Sequence, residues 1–312
     1  MEGQLVVSGL TKVYPRVRAV DDLSFTVQPG RVTGFLGPNG SGKTTTLRMM
    51  LNLVTPTRGT ATIHGARYAD LAAPLRVVGA VLEASSAHKG RTGRNHLRIV
   101  CAAAGFPQTR ADEVLDLVGL LPAAKRPFKS YSLGMRQRLG IACAMLGDPR
   151  VLILDEPANG LDPEGIRWMR EFLRAFAAQG RTVLVSSHLL GEMELLADDV
   201  IIIAAGTLIT QGPVARVLES VQGGTVRVRT PHAEALAAYL RERGATVHVQ
   251  AGATLQGATR QDGATLQVVG VDAATVGRAA LATQAELHEL VAEKADLEQV
   301  FLQLTHGKAG IR

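Results

Sequence analysis

The sequence predicts an α/β chain in which a mostly parallel sheet is followed by a smaller α+β domain. Three observations carry this expectation. Over residues 1–220 of the 312, short apolar runs alternate with segments of helical period, as in strands joined by crossover helices. One strand-to-helix junction is glycine-rich, GPNGSGKTT over residues 37–45. Near residue 220 the composition shifts through Gln222-Gly223-Gly224 into a second block of alternating elements.

The elements follow in order. Residues 5–13 and 23–27 alternate apolar and polar side chains as half-buried strands do, and Gln28-Pro29-Gly30 reads as the turn after them. Residues 31–36 form a short apolar strand and 44–53 a helix. The turn at 56–59 precedes a strand over 60–63, and 77–82 is a further apolar strand. Segments 95–105 and 111–121 have helical periodicity and are separated by Pro107. Residues 133–146 form a helix that ends near Gly147-Asp148-Pro149. The unbroken apolar run 151–154 is a strand buried on both faces. A helix over 165–179 and a strand over 182–186 complete this block. After the glycine pair the spacing predicts strand 225–229, helix 232–243, and strands 246–250 and 265–269. Helix 273–282, strand 287–291 and helix 295–305 follow. That βαββαβ order is a ferredoxin-like split βαβ unit with one extra helix. The expected domains are therefore 1–220 and 221–312.

Bulk properties narrow the function. Apolar content of 46% fits a globular protein with ample core. The net charge of +6 comes from scattered basic residues, which points to a solvated surface and not to nucleic acid. Cys101 and Cys143 lie in apolar, helix-like runs and are expected to be small core residues, not ligands or a disulfide. The start, MEGQLVVSGL, lacks a basic region followed by an apolar core, so no signal peptide is expected. The apolar stretch 200–209 is broken by Gly206 and is too short to span a bilayer.

The chemistry begins at residues 37–45. Gly37, Gly40 and Gly42 free the backbone to close, with Asn39, Ser41 and Thr45, into a nest of N–H donors around phosphate oxygens. The helix that follows aims its positive end at the same anion. Lys43 adds a compact cation and the Thr44 hydroxyl is placed to ligate Mg²⁺. Asp155 and Glu156 stand just past a buried strand; there Asp155 suits Mg²⁺ and Glu156 suits the attacking water. Ser132 caps the start of the next-upstream helix, where Gly134 permits close approach of an anion. His188 ends the strand over 182–186 and its Ser-Ser-His tail, within reach of a γ-phosphate.

P-loop, serine-glycine helix cap, Asp-Glu strand end and Ser-Ser-His, in that order, resemble ABC-type ATPase domains over about residues 5–218. The resemblance implies a mixed-sheet core with a helical subdomain, and ATP with Mg²⁺ as ligands. It implies that Glu156 is the catalytic base, His188 the switch histidine and Tyr14 the aromatic stacked on adenine. Residues 158–162 take the place of the D-loop, which crosses to a partner. Two positions depart from the family pattern. The usual LSGGQ reads YSLGM, keeping Ser132 and Gly134 but placing Leu133 where a glycine stands. The loop that normally carries a Mg²⁺-contacting glutamine offers Glu83 instead. Both departures, and the tail Asp296-Leu297-Glu298-Gln299-Val300-Phe301, resemble ATP-binding subunits of drug and bacteriocin exporters.

One P-loop and one serine-glycine cap per chain cannot close two shared sites alone. The expected partners are therefore a second copy and a transmembrane permease, with no nucleic acid, on the inner face of the cell membrane. A soluble ATPase acting on nucleic acid, a ribosome or a regulator is the rival. The gap of about ninety residues without heptads, and the single cassette, disfavour it.

Overall fold

The computed structural model describes residues 3–82, 87–220, 225–250, 264–293 and 296–305. Two compact units emerge: Met1–Val214 with Phe301–Arg312, and Ala215–Val300.

The first unit opens with β1 (Leu5–Tyr14), β2 (Val17–Val27) and β3 (Val32–Leu36), followed by α1 (Lys43–Met50) and β4 (Arg58–Ile63). Next come α2 (Pro74–Val77), β5 (Val78–Val81), α3 (Gly93–Ala104), α4 (Arg110–Leu117) and α5 (Leu133–Ala144). The unit continues with β6 (Val151–Asp155), α6 (Pro163–Ala178), β7 (Thr182–Ser187), α7 (Leu190–Leu196), β8 (Asp199–Ala204) and β9 (Thr207–Pro213).

These strands form two sheets. An antiparallel sheet has the order β2-β1-β4, and a six-stranded sheet has the order β5-β6-β7-β3-β8-β9. In the larger sheet every pairing is parallel except β8 with β9. Strands β3 and β7 are buried at every residue, which is why they carry no charged residue and no apolar-polar alternation. Leu47 and Met50 of α1 share one core with Leu5 and Phe25 of the small sheet and Phe35, Ile153 and Ile201 of the large one. The helix after the glycine turn is thus held between two sheets.

Several elements differ from the sequence reading. The run 200–209 is two strands, because Ala205 and Gly206 both take positive φ (47° and 81°), the two-residue turn that matches strand twist. The strand expected over 77–82 is β5 at Val78–Val81, with Val77 closing the single turn α2 before it. Helix α6 begins at Pro163, earlier than the periodicity suggests, because the Asp162 carboxylate accepts from Gly165 N at 2.9 Å and proline suits the first helical position. Helix α3 likewise begins at Gly93, behind the Thr92 cap on Asn95 N at 3.2 Å.

After α8 (Val214–Ser220), the second unit contains β10 (Thr225–Thr230), α9 (Ala233–Glu242), β11 (Thr246–Gln250), β12 (Ala264–Val269), α10 (Ala273–Ala282) and β13 (Glu289–Glu293). Helix α11 (Leu297–Thr305) ends the described chain. Its antiparallel sheet has the order β11-β12-β10-β13, a ferredoxin-like βαββαβ arrangement. Val226, Val228, Leu236, Leu240, Leu266, Val268 and Val276 form a core of their own. Strand β13 starts two residues later than the periodicity predicts. Glu286 is held as a loop: its carbonyl accepts from Thr230 Oγ1 at 2.6 Å and its N–H donates to His232 Nδ1 at 3.3 Å.

Candidate active site

Parallel register brings three strand ends together. Leu36 of β3 stands opposite Ser187 of β7, and Ser186 of β7 opposite Asp155 of β6. Open α/β sheets bind ligands beyond such carboxyl ends. The glycine loop leaves β3 here, with Gly40 and Gly42 at φ 79° and 100°, conformations that side chains rarely take. A Cβ on Gly42 would collide with the Ala19 carbonyl, and one on Gly37 with Ser41 Oγ. The loop is therefore curled as tightly as glycine permits.

Its cleft encloses about 280 Å³ and is lined by Ala19, Asn39, Gly40, Ser41, Gly42, Lys43, Thr44, Thr45 and Glu156. Lys43 is only 7% exposed. Its Nζ donates to the carbonyls of Gly37 at 2.6 Å and Pro38 at 3.3 Å, and lies 3.7 Å from Glu156 Oε1. Burial pulls its pKa down, against the opposing pull of Glu156 and Asp155. The Ser41 hydroxyl is buried in the loop without a hydrogen-bond partner. An orphaned hydroxyl beside a nest of backbone donors and a buried cation fits a phosphate chain.

The acidic side is equally built. Thr44 Oγ1 donates to Asp155 Oδ2 at 2.7 Å, and Ser186 Oγ donates to Asp155 Oδ1. Ser186 Oγ also accepts from Glu156 N at 2.9 Å. Glu156 itself takes φ 49°, a left-handed backbone that turns its side chain out of the strand line and into the cleft. Its Oε2 lies 2.8 Å from His188 Nδ1. The Thr44–Asp155 pair supplies hard oxygen donors suited to Mg²⁺. Among the described residues no group of three or more His, Cys, Asp or Glu could hold a metal. Two protein oxygens completed by phosphate and water is how Mg²⁺ is ordinarily held.

The predicted site residues therefore fall into groups. Residues 39–45 and Glu156 line one cleft, Asp155 and His188 bond directly to its members, and the Gly37 carbonyl accepts from Lys43 Nζ. Ser132 and Gly134 are not among its lining residues; Ser132 caps α5 through Met135 N at 3.2 Å. Tyr14, at the end of β1, is also outside the lining set and is 40% exposed with Lys12 Nζ 5.1 Å from its ring centroid. Glu83 lies outside the described residues. Sequence reasoning missed Ser186, whose hydroxyl ties Asp155 to the Glu156 backbone, although the Ser-Ser-His run was in view. It also missed Ala19, for which no sequence signal exists, because only the close approach of β2 to the loop selects it.

A second, larger cleft of about 670 Å³ opens elsewhere in this unit and is mostly apolar, with Leu53, Leu75, Val81, Phe106 and Phe128 among its lining residues. His96 and Cys143 also line it. Burial pushes the Cys143 thiol up to about 12.

A family model described as ABC transporter matches residues 20–159, and one described as a domain of unknown function matches 224–298. The chain is 45% identical over 212 residues to the uncharacterized ABC transporter ATP-binding protein YhcH of Bacillus subtilis, covering 67% of this chain and 70% of that one. It is 44% identical to the bacitracin transport ATP-binding protein BcrA of Bacillus licheniformis, over 65% of this chain and 68% of that one. The daunorubicin/doxorubicin resistance ATP-binding protein DrrA of Streptomyces peucetius is 34% identical over 96% of this chain and 91% of its own. A solved ATP-binding subunit of an ABC transporter superposes with a TM-score of 0.62 at 29% identity, over 69% of this chain and 92% of that one.

Proposed function

Because the chain belongs to the ABC transporter ATP-binding proteins and is an ATPase subunit of that family, we propose that it hydrolyses MgATP with Glu156 as general base. One observation carries this reading. The Glu156 carboxylate faces the phosphate cleft, held between Lys43 Nζ at 3.7 Å and His188 Nδ1 at 2.8 Å.

The nest over 37–45 binds the phosphates, and Lys43 offsets their charge from a nearly dry position. Thr44 and Asp155 would hold Mg²⁺, which when bound offsets charge developing on the transferred phosphoryl group. Glu156 accepts the proton of the attacking water, and His188 orients that carboxylate and would contact the γ-phosphate. Tyr14 is assigned to the adenine face. Glu83 is assigned to the Mg²⁺ side by sequence alone.

Ser132 and Gly134 are not among the residues lining this cleft, so their helix start serves the nucleotide of a second copy, and each ATP is shared. Closure on ATP and release after hydrolysis would move a transmembrane partner. The 670 Å³ apolar cleft, with Leu53 65% exposed at its wall, suits an amphipathic segment of that partner. Among the described residues no helix is long and apolar enough to cross a membrane, consistent with a separate membrane subunit and a peripheral place on the inner face. The relatives named for bacitracin transport and daunorubicin/doxorubicin resistance favour export of antibiotic or peptide cargo. The second unit, Ala215–Val300, shows no glycine-rich phosphate loop among its described residues and is assigned as an accessory domain.

Glu156→Gln tests the assignment. It should keep ATP affinity and lose hydrolysis by about 10²- to 10⁴-fold. A variant hydrolysing at the parent rate removes Glu156 from the chemistry.

A further inference from the structure

Leu133 follows the Ser132 cap directly, at the position where the ABC signature carries glycine. Its side chain does not turn into the core: the residue is 45% exposed. Instead Leu133 Cδ2 lies 2.5 Å from where a Cβ on Gly160 would stand, and Gly160 takes φ 71°. The contact is reciprocated. Leu161 Cδ2 lies 3.6 Å from where a Cβ on Gly134 would stand. Two leucines thus cross, each seated over a glycine of the other segment.

The segment carrying Gly160 begins at Glu156. Asn159 N donates to the Glu156 carbonyl at 3.2 Å and Leu161 N to the Ala158 carbonyl at 3.2 Å. Asp162 then caps α6. The stretch from Glu156 to Asp162 is therefore a short hydrogen-bonded turn, with Glu156 at one end and the Leu133 contact near the other. A side chain so exposed adds little to burial energy, which leaves position as what the contact supplies.

We propose that Leu133 is a positioning residue that locks the Ser132–Gly134 helix start to the turn leaving Glu156. The cap offered to the second copy's nucleotide then moves with the turn that carries the general base. This rests on the shared-site reading given above. A glycine at 133 would leave the seating of Leu161 on Gly134 without its reciprocal contact.

The test uses the full chain and reads kcat and KM for ATP separately. Leu133→Gly should lower kcat about tenfold, less than the roughly 10²-fold that a full 1 Å misplacement can cost because Leu161 still touches the cap, with KM changed less than about twofold because the P-loop is untouched. Leu133→Met, long enough to reach Gly160, should restore kcat. Gly160→Ala should impair kcat by collision. Adding Leu133→Ala to it should not deepen the loss, because contacting residues are non-additive. Parental kcat in Leu133→Gly overturns the proposal, as does a loss that Met does not rescue, or full additivity of the pair. Light scattering of Glu156→Gln with ATP separates the two readings. No ATP-driven dimer overturns the shared site and the lock together. A dimer that forms equally well, with Leu133→Gly at parental kcat, overturns the lock alone.

Discussion

Glu156 Oε2 lies 2.8 Å from His188 Nδ1, across the neighbouring ends of β6 and β7. The contact exists because two local features agree. Glu156 leaves the strand through φ 49°, and its N–H is caught by the Ser186 hydroxyl at 2.9 Å. The strand that delivers Ser186 delivers His188 two residues later, so one strand fixes both the backbone and the carboxylate of Glu156.

His188→Ala should therefore lower kcat strongly while sparing ATP affinity, since the nest and Lys43 do not depend on it. The loss should be smaller than for Glu156→Gln, because the base remains and only its orientation is freed. Steady-state kinetics beside equilibrium ATP binding check this. An affinity loss matching the kcat loss would make His188 a ground-state binding group instead.

The backbone of Glu156 makes a thermal prediction of the opposite sign to habit. Glycine ordinarily destabilises relative to alanine by about 0.5–1 kcal/mol within regular structure. At a left-handed φ alanine carries a penalty of about 1–2 kcal/mol. Glu156→Gly should thus melt at or above Glu156→Ala. A lower melting temperature for the glycine variant would show that this backbone conformation is not kept.

Ser186→Ala removes two bonds at once, the donor to Asp155 and the acceptor for Glu156 N. Glu156 N keeps the Ser186 carbonyl at 3.2 Å and Asp155 keeps Thr44, so the stability cost should be that of ordinary hydrogen bonds, about 0.5–1.5 kcal/mol each. The activity loss should appear in kcat and in the Mg²⁺ concentration required, because Asp155 is then held by Thr44 alone. Titrating ATPase activity against Mg²⁺ in both forms measures it. Superimposable curves would remove Ser186 from the metal side.

How much of this was legible in the sequence depends on how local each determinant is. The glycine loop, the Asp-Glu strand end and the Ser132 cap are written in contiguous residues, and the structure places the first two together. Strand β6 was legible because burial on both faces leaves the unbroken apolar run 151–154, and β3 and β7 because their apolar residues do not alternate with charged ones. The β8–β9 hairpin was not, because its turn is Ala205-Gly206 and alanine gives no warning of positive φ. Ala19 at the cleft wall and the seating of Leu133 on Gly160 were invisible, since each depends on a segment distant in sequence. In sequence Leu133 is a departure from the signature pattern, and its partner Gly160 stands 27 residues away.

His96 carries the pH prediction. On α3 it lines the large apolar cleft, and its Nδ1 is buried without a hydrogen-bond partner. Burial, and secondly the charge of Arg91, hold its pKa below the ordinary 6.5. Above that ordinary value the ring is neutral in folded and unfolded chains alike, and stability is unaffected. As the pH falls below it, the unfolded chain takes up a proton that the folded chain refuses, so stability is lost until the folded pKa is reached. His96→Gln cannot titrate and should lose less. Between about pH 7.5 and about pH 5.5 the parent's melting temperature should therefore fall further than the variant's, the other histidines contributing equally to both. Parallel falls in the two proteins would mean that His96 titrates normally in the fold, and that water reaches the ring through the cleft.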